Sequence, residues 1–163
     1  CWGTSKYLAE VKKFEGLCIA SIQNEYSLMC RLFDNDFNEL SLNENVPLLA
    51  YSPLARGLLT GKYIGNKIPE GSRLSRDDKI RKIVNENSDL AVKAYFELAK
   101  KYNIDPVHLA LAFCKDRPFM GSVIFGATNI IQLRKILKGL DLKLSDEIKD
   151  EIQKLYKKFP LTF

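Results

Sequence analysis

Short apolar runs alternate along this chain with stretches of helical spacing, and that alternation limits the possible folds more than any other feature. Residues 17–22 and 46–51 are compact runs rich in Leu, Ile and Val. Continuous rather than alternating, they read as strands buried on both faces. Residues 122–125 form another such run, closed by Gly126, and residues 2–5 read as the tail of one more. Between them, Leu8, Val11 and Phe14 share a helical face over 7–14, with Gly16 as a stop. Phe33, Phe37, Leu40 and Leu42 do the same over 33–42. Ser88 stands where a cap for a helix over 89–102 is needed, and that helix carries Leu90, Ala94, Leu98 and Ala99 on one face. Asp105 and Pro106 form an N-cap and first-turn pair for a helix over 107–116. A helix over 130–137, and one opened by Ser145 and Ile148 that runs to about residue 158, complete the series. This is the rhythm of parallel βα units with both sheet faces covered, an α/β fold.

Four strands are half of an eight-stranded (β/α)8 barrel, and 163 residues fall short of the roughly 250 that a complete one takes. The chain opens at Cys1, without methionine, almost directly on a strand exit. It therefore reads as a piece of something longer, half of such a barrel. One segment breaks the rhythm. Over 52–87, Gly57, Gly61, Gly65 and Gly71 with Pro53 and Pro69 punctuate a stretch without periodicity, and a connection this long is usually functional or partly disordered.

Charge and composition exclude several functions. The net charge of +5 would suit nucleic acid, but over 144–158 lysines alternate with acids as on a solvated helix face. Part of the basic excess is left for a phosphorylated ligand. The run 109–114 is far shorter than the ~20 apolar residues that span a bilayer, so no membrane insertion is expected and a cytoplasmic location is. Cys1, Cys18, Cys30 and Cys114 form no C-x-x-C pair and read as free thiols in a reducing compartment. The single histidine, His108, supports neither a zinc site nor a triad. On its helix, one turn from Leu111 and Ala112, it reads as a partly buried packing residue.

In a βα barrel the working residues sit at the carboxyl ends of the strands. Position thus nominates Ser5 and Lys6, Gln23 and Asn24, Tyr51 and Ser52, and Gly126 to Asn129. Ser5 and Gln23 can pair with a carboxamide, and Tyr51 offers a ring face for stacking. The turn Gly126-Ala127-Thr128-Asn129 before a helix can present backbone N–H groups to phosphate. Any one of these is ordinary loop or core chemistry; together, at four successive strand ends, they point to a planar, amide-bearing, phosphorylated ligand.

Four blocks of sequence carry a resemblance. They are Trp2-Gly3-Thr4-Ser5-Lys6, Ser21-Ile22-Gln23-Asn24-Glu25-Tyr26-Ser27-Leu28, the run from Leu49 through Tyr51-Ser52-Pro53-Leu54-Ala55-Arg56-Gly57 to Gly61-Lys62-Tyr63, and Gly126-Ala127-Thr128-Asn129. Over essentially the whole chain this pattern resembles the aldo-keto reductase superfamily, nearest to the Tas-type reductases and the voltage-gated potassium channel beta subunits. The resemblance implies an NADP(H)-binding (β/α)8 barrel that reduces aldehydes or ketones. It implies that the chain, 1–163, is the C-terminal half of that barrel, from the end of the fifth strand to the final helix, that Ser5 and Gln23 hold the nicotinamide carboxamide, that Lys6 belongs to the cofactor site, and that Tyr51 stacks on the ring. Ser52, Pro53, Leu54, Gly57 and Lys62 would line the pyrophosphate, Arg73 the adenosine phosphates, and Gly126, Thr128 and Gln132 the ribose and its 2'-phosphate. Lys135 and Ile136 depart from the family's Glu and Asn at adenine, and Lys6 stands where many members have Asn. The family's proton-donating Tyr, its Asp, Lys and His belong to strand ends that this chain does not contain, so no catalytic residue is assigned within it. The implied partners are a small carbonyl substrate, an N-terminal half-barrel and, with strand edges left unpaired, a possible second copy. An NADP-binding regulatory subunit is the alternative function, and a half-barrel that binds nothing on its own is the plainest one.

Overall fold

Three strands, Ile22–Glu25 (β1), Leu48–Tyr51 (β2) and Met120–Ile124 (β3), form one parallel sheet in the order β1-β2-β3. They come from a computed structural model that describes residues 1–65, 67–78, 82, 84–160 and 162. The helices are Trp2–Val11 (α1), Asp36–Glu44 (α2), Arg73–Arg76 (α3), Glu86–Lys101 (α4), Pro106–Lys115 (α5), Ile130–Lys138 (α6) and Asp146–Lys158 (α7). A 3₁₀ turn lies at Leu32–Asp34, and Ala55–Thr60 is two short turns joined across a kink at Arg56 and Gly57. The register sets Glu25, Tyr51 and Ile124 side by side, so all three strands end at one level.

Hydrophobic burial explains this arrangement. Leu48 and Ala50 of β2 are fully buried, and they pack in one core with Tyr95 and Ala99 of α4 and Leu109, Ala110, Phe113 and Cys114 of α5. Tyr26 and Phe33 extend that core by ring contacts to Phe113 and Phe119. Local capping sets the helix starts. Asp105 accepts from the Val107 N–H at 2.9 Å with Pro106 in the first turn, and Ser145 accepts from the Ile148 N–H at 3.4 Å.

Several expectations require correction. Residues 2–5 are the start of α1 rather than a strand tail, so the sheet has three strands among the described residues and Ser5 and Lys6 stand on a helix. Its one buried side chain, Leu8, anchors α1 to the rest. The strand expected at 17–22 begins only at Ile22, where Ile22 N donates to Pro47 O at 2.9 Å; Leu17 is exposed. The helix expected over 33–42 is split at Asn35, whose ψ of -114° is not helical. Asn85 caps α4, not Ser88; Ser88 is the reciprocal partner three residues in, completing a capping box. Only one sheet face is covered, for Gln23, Tyr51, Ser122 and Ile124 are exposed. A barrel fills that face with side chains from strands across it, and three strands supply none. His108 is half-buried as expected, bonding Lys135 O through Nε2 at 2.6 Å. The four cysteines are free, and burial pushes the Cys114 thiol well up. No helix of the described residues is long and apolar enough to cross a membrane.

Leu109 is 1% exposed at the centre of this core. Its replacement by alanine is expected to cost about 2–5 kcal/mol by loss of packing and an unfilled cavity. Denaturant unfolding of Leu109→Ala checks this, and an unchanged midpoint would remove Leu109 from the core.

Candidate functional site

The chain leaves β2 through an unusual backbone. Ser52, Ala55 and Arg56 have φ of 56°, 47° and 57°, and Gly57 follows at 98°. Asn45 and Asn103 are the only other described non-glycine residues with positive φ. Such conformations cost energy and persist where surrounding contacts over-determine them. Here the contacts are visible: Ala55 N donates to Ser52 O at 2.8 Å, and Gly57 N and Leu59 N both donate to Leu54 O. The Arg56 guanidinium bonds Glu25 at 2.7 Å, reaching from the loop after β2 to the end of β1. Gly57 closes against Lys62, since a Cβ there would lie 3.1 Å from Lys62 Cε. At Gly61, with φ of 79°, a Cβ would collide with the Phe96 ring.

This loop forms one wall of a cleft of about 800 Å³. The segment around Arg73 and Arg76 forms another, and the turn after β3 with the start of α6 forms a third. Asn129 caps α6 by accepting from Gln132 N at 2.9 Å, while the Gln132 carbonyl accepts from Thr128 N at 3.0 Å and from its hydroxyl at 3.1 Å. The Gln132 amide group is thereby fixed beside Gly126 and Thr128. Apolar surface comes from Val107, Phe125 and Ile136. A basic, amide-bearing rim over an apolar floor suits a ligand with phosphate groups and a flat ring.

Of the residues nominated from sequence, the fold brings Ser52, Pro53, Leu54, Gly57, Lys62, Arg73, Gly126, Thr128 and Gln132 to this cleft. Ser5, Lys6, Gln23 and Tyr51 are not among its lining residues. Ser5 and Lys6 lie exposed on α1, with the Lys6 ammonium 5.8 Å from the Trp2 ring. Gln23 and Tyr51 are exposed at and near the strand ends, and the pairing of Gln23 with Leu49 and of Glu25 with Tyr51 puts them on neighbouring strands.

Sequence reasoning passed over Arg56 and Arg76, which also line the cleft, and over Glu25 behind it, while Lys135 and Ile136, noted as departures at the adenine position, do line it. Arg76 was findable, because it repeats Arg73 at helical spacing. Lys135 pairs with Asp105 at 2.8 Å. Burial alone would raise the Asp105 carboxyl, yet Lys135 and the Val107 N–H hold it below its ordinary value. For Glu25 the balance is reversed. Burial raises its pKa, and the opposing charges of Arg56 and Arg73 do not fully offset that. Its Oε1 is buried without a hydrogen-bond partner.

A sequence profile of the aldo/keto reductase family matches residues 1–157. Protein tas of Escherichia coli is 37% identical over 155 residues, which cover 95% of this chain and 45% of that protein. A probable voltage-gated potassium channel subunit beta of Oryza sativa is 30% identical over 175 residues, covering 98% and 53%. The structure of a glycerol dehydrogenase from Gluconobacter oxydans superposes with a TM-score of 0.70 at 26% identity, covering 86% of this chain and 43% of that one. The chain thus spans about half the length of the relatives it matches, and its parallel sheet with helices is a partial barrel of that α/β type.

The raised Glu25 pKa has a definite consequence for stability. A carboxyl raised on folding favours the folded state when protonated; that contribution is complete below the ordinary carboxylate range and is lost as pH rises through the raised value. Relative to Glu25→Gln, which stays neutral, the wild-type protein is expected to lose stability over that window. Denaturant unfolding of both proteins across pH measures it, and a pH-independent gap would mean that Arg56 offsets the burial in full.

Proposed function

We propose that this chain, which belongs to the aldo/keto reductase family, is the cofactor-holding C-terminal half of an NADPH-dependent reductase of aldehydes or ketones. The observation that carries the reading is the cleft. Nine residues nominated from separate segments of sequence meet around one volume of about 800 Å³. Lys62, Arg73 and Arg76 supply positive charge, and Gln132 with the 126–128 turn supplies amide groups. This set fits a nucleotide diphosphate with a further phosphate on its ribose.

The cofactor supplies hydride to a carbonyl carbon when bound. The residues of this chain bind and orient. Ser52, Pro53, Leu54, Gly57 and Lys62 would hold the pyrophosphate beneath the left-handed loop. Arg73 would pair with an adenosine phosphate, and Gly126, Thr128 and Gln132 would surround the ribose. The role of Tyr51 at the nicotinamide is supported by its place at the end of β2, and that of Gln23 by its exposure on the neighbouring strand. Those of Ser5 and Lys6 rest on the family resemblance alone. Proton delivery belongs to residues outside this chain, so the chain by itself is expected to be inactive. The free thiols suit a reducing compartment, and the cytoplasm is the proposed location.

The similarity to a channel subunit favours one other reading, a regulatory protein whose NADP occupancy matters more than turnover. Robust carbonyl turnover by the full-length protein would favour the enzyme, and co-purification with a membrane partner without turnover the regulator.

Titration of the full-length protein with NADPH and with NADH, followed by nicotinamide fluorescence, tests the cofactor assignment. NADPH is expected to bind more tightly, and Arg73→Ala to weaken it roughly tenfold through loss of a charge-assisted bond. Equal affinity for both cofactors, unchanged in the variant, would overturn the NADPH assignment. A second assay concerns the chain alone. With NADPH and a reactive aldehyde it is expected to show only background; a rate above background that Tyr51→Ala abolishes would refute its inactivity.

A further inference from the structure

Resting on the cofactor reading above, we infer that Tyr63 is a positioning residue for the phosphate end of the cleft. From beneath the lining it holds Lys62 on one wall and Arg73 on another in place relative to each other. Tyr63 is 4% exposed and is not among the lining residues, whereas Lys62 and Arg73 are.

The ring serves the first wall. It packs under the left-handed turn, where a Cβ on Gly57 would lie 3.4 Å from Tyr63 Cε2. The Lys62 ammonium stands 5.0 Å from the ring centroid, a cation–π distance. The ring thus supports both the turn and the charge beside it.

The hydroxyl serves the second wall. Arg73 opens α3, a helix of four residues. One turn of helix fixes several dihedrals for few hydrogen bonds and does not hold itself. Its first N–H groups need acceptors from outside the helix. Ser72, at the N-cap, supplies none: its side chain makes no capping bond, and its Oγ is buried without a partner. Tyr63 supplies one, for its hydroxyl oxygen accepts from the Leu74 N–H at 3.4 Å. The other bonds within 69–76 are local, from Ser72 N to Pro69 O and from Ser75 N and Oγ to Ser72 O. Among the described residues, the Tyr63–Leu74 bond is therefore the hydrogen bond that ties this segment to the loop after β2. Leu74, 2% exposed, also packs in the same core as Tyr63. Arg73 immediately precedes Leu74 and its side chain is exposed, so its anchored backbone is what places it. A phenylalanine at 63 would keep the ring under Gly57 and Lys62 and leave the Leu74 N–H without its acceptor.

The test is a double-mutant cycle on the full-length protein, with NADPH affinity read by nicotinamide fluorescence. Tyr63→Phe is expected to weaken NADPH roughly threefold to tenfold, the effect of one net hydrogen bond. That loss should persist in Lys62→Met and disappear in Arg73→Ala, where the group being placed is gone. Hydrogen–deuterium exchange over 72–76 should quicken in Tyr63→Phe. The role is overturned if Tyr63→Phe binds NADPH as the wild type does, if it weakens binding equally with and without Arg73, as general destabilisation would, or if exchange over 72–76 is unchanged. In each of these cases saturable NADPH binding weakened by Arg73→Ala leaves the cofactor reading standing. No saturable NADPH binding by the wild type, or binding indifferent to Arg73→Ala, overturns that reading and the role of Tyr63 with it.

Discussion

The parallel register of three short strands is the constraint on which the rest of the structure depends. Because Ile22 pairs with Leu48, and Tyr51 with both Glu25 and Ile124, every strand stops at the same level and every loop that leaves the sheet does so on one side. Parallel strands need long crossovers, so the connections carry helices, and the helices bury one sheet face on Leu48 and Ala50. Residues as distant in sequence as Ser52 and Gln132 then line the same cleft.

Upon that frame the loop after β2 is a local device. Left-handed backbone at Ser52, Ala55 and Arg56 is unfavourable in isolation, and its cost is met by hydrogen bonds to Ser52 O and Leu54 O and by the Arg56–Glu25 pair. The pair ties the loop to the neighbouring strand end, so that the loop is positioned by the sheet rather than by its own flexibility. The expense falls on Glu25, half-buried with one oxygen unbonded. A strained loop lining the cleft, tied to a perturbed carboxylate behind it, fits a positioned binding loop.

What was legible in the sequence follows from the range of the interactions involved. The starts of α5 and α7 were readable because Asp105, Pro106 and Ser145 act within three residues of where they stand. The start of α4 was missed by three residues, since both members of its capping box are good capping residues and only the geometry distinguishes Asn85 from Ser88. The segment 2–5 was read as a strand tail from its place in the expected order, whereas a strand exists only with a neighbour to bond, and the described sheet offers it none. Strand-end position nominated Ser52, Gly126 and Thr128 of the cleft, while Pro53, Leu54, Gly57, Lys62, Arg73 and Gln132 were nominated only through the family resemblance. Arg56 and Glu25 were not, as their pairing spans 31 residues and rests on a positive φ that no sequence pattern announces for an arginine.

On the proposed reading, the two ends of the cofactor meet very different surroundings. The phosphate end would lie against the loop after β2, Arg73 and the turn before α6, all supplied by this chain, with the loop and the turn already held by internal bonds. The nicotinamide end would lie over Gln23 and Tyr51 on the sheet face that remains open, with Tyr51 40% exposed. Charge-assisted contacts to phosphate provide affinity, while hydride transfer needs a dry, enclosed ring and a proton donor across from it. On that reading affinity and chemistry are separable along the length of one ligand, and this chain would hold the part that binds.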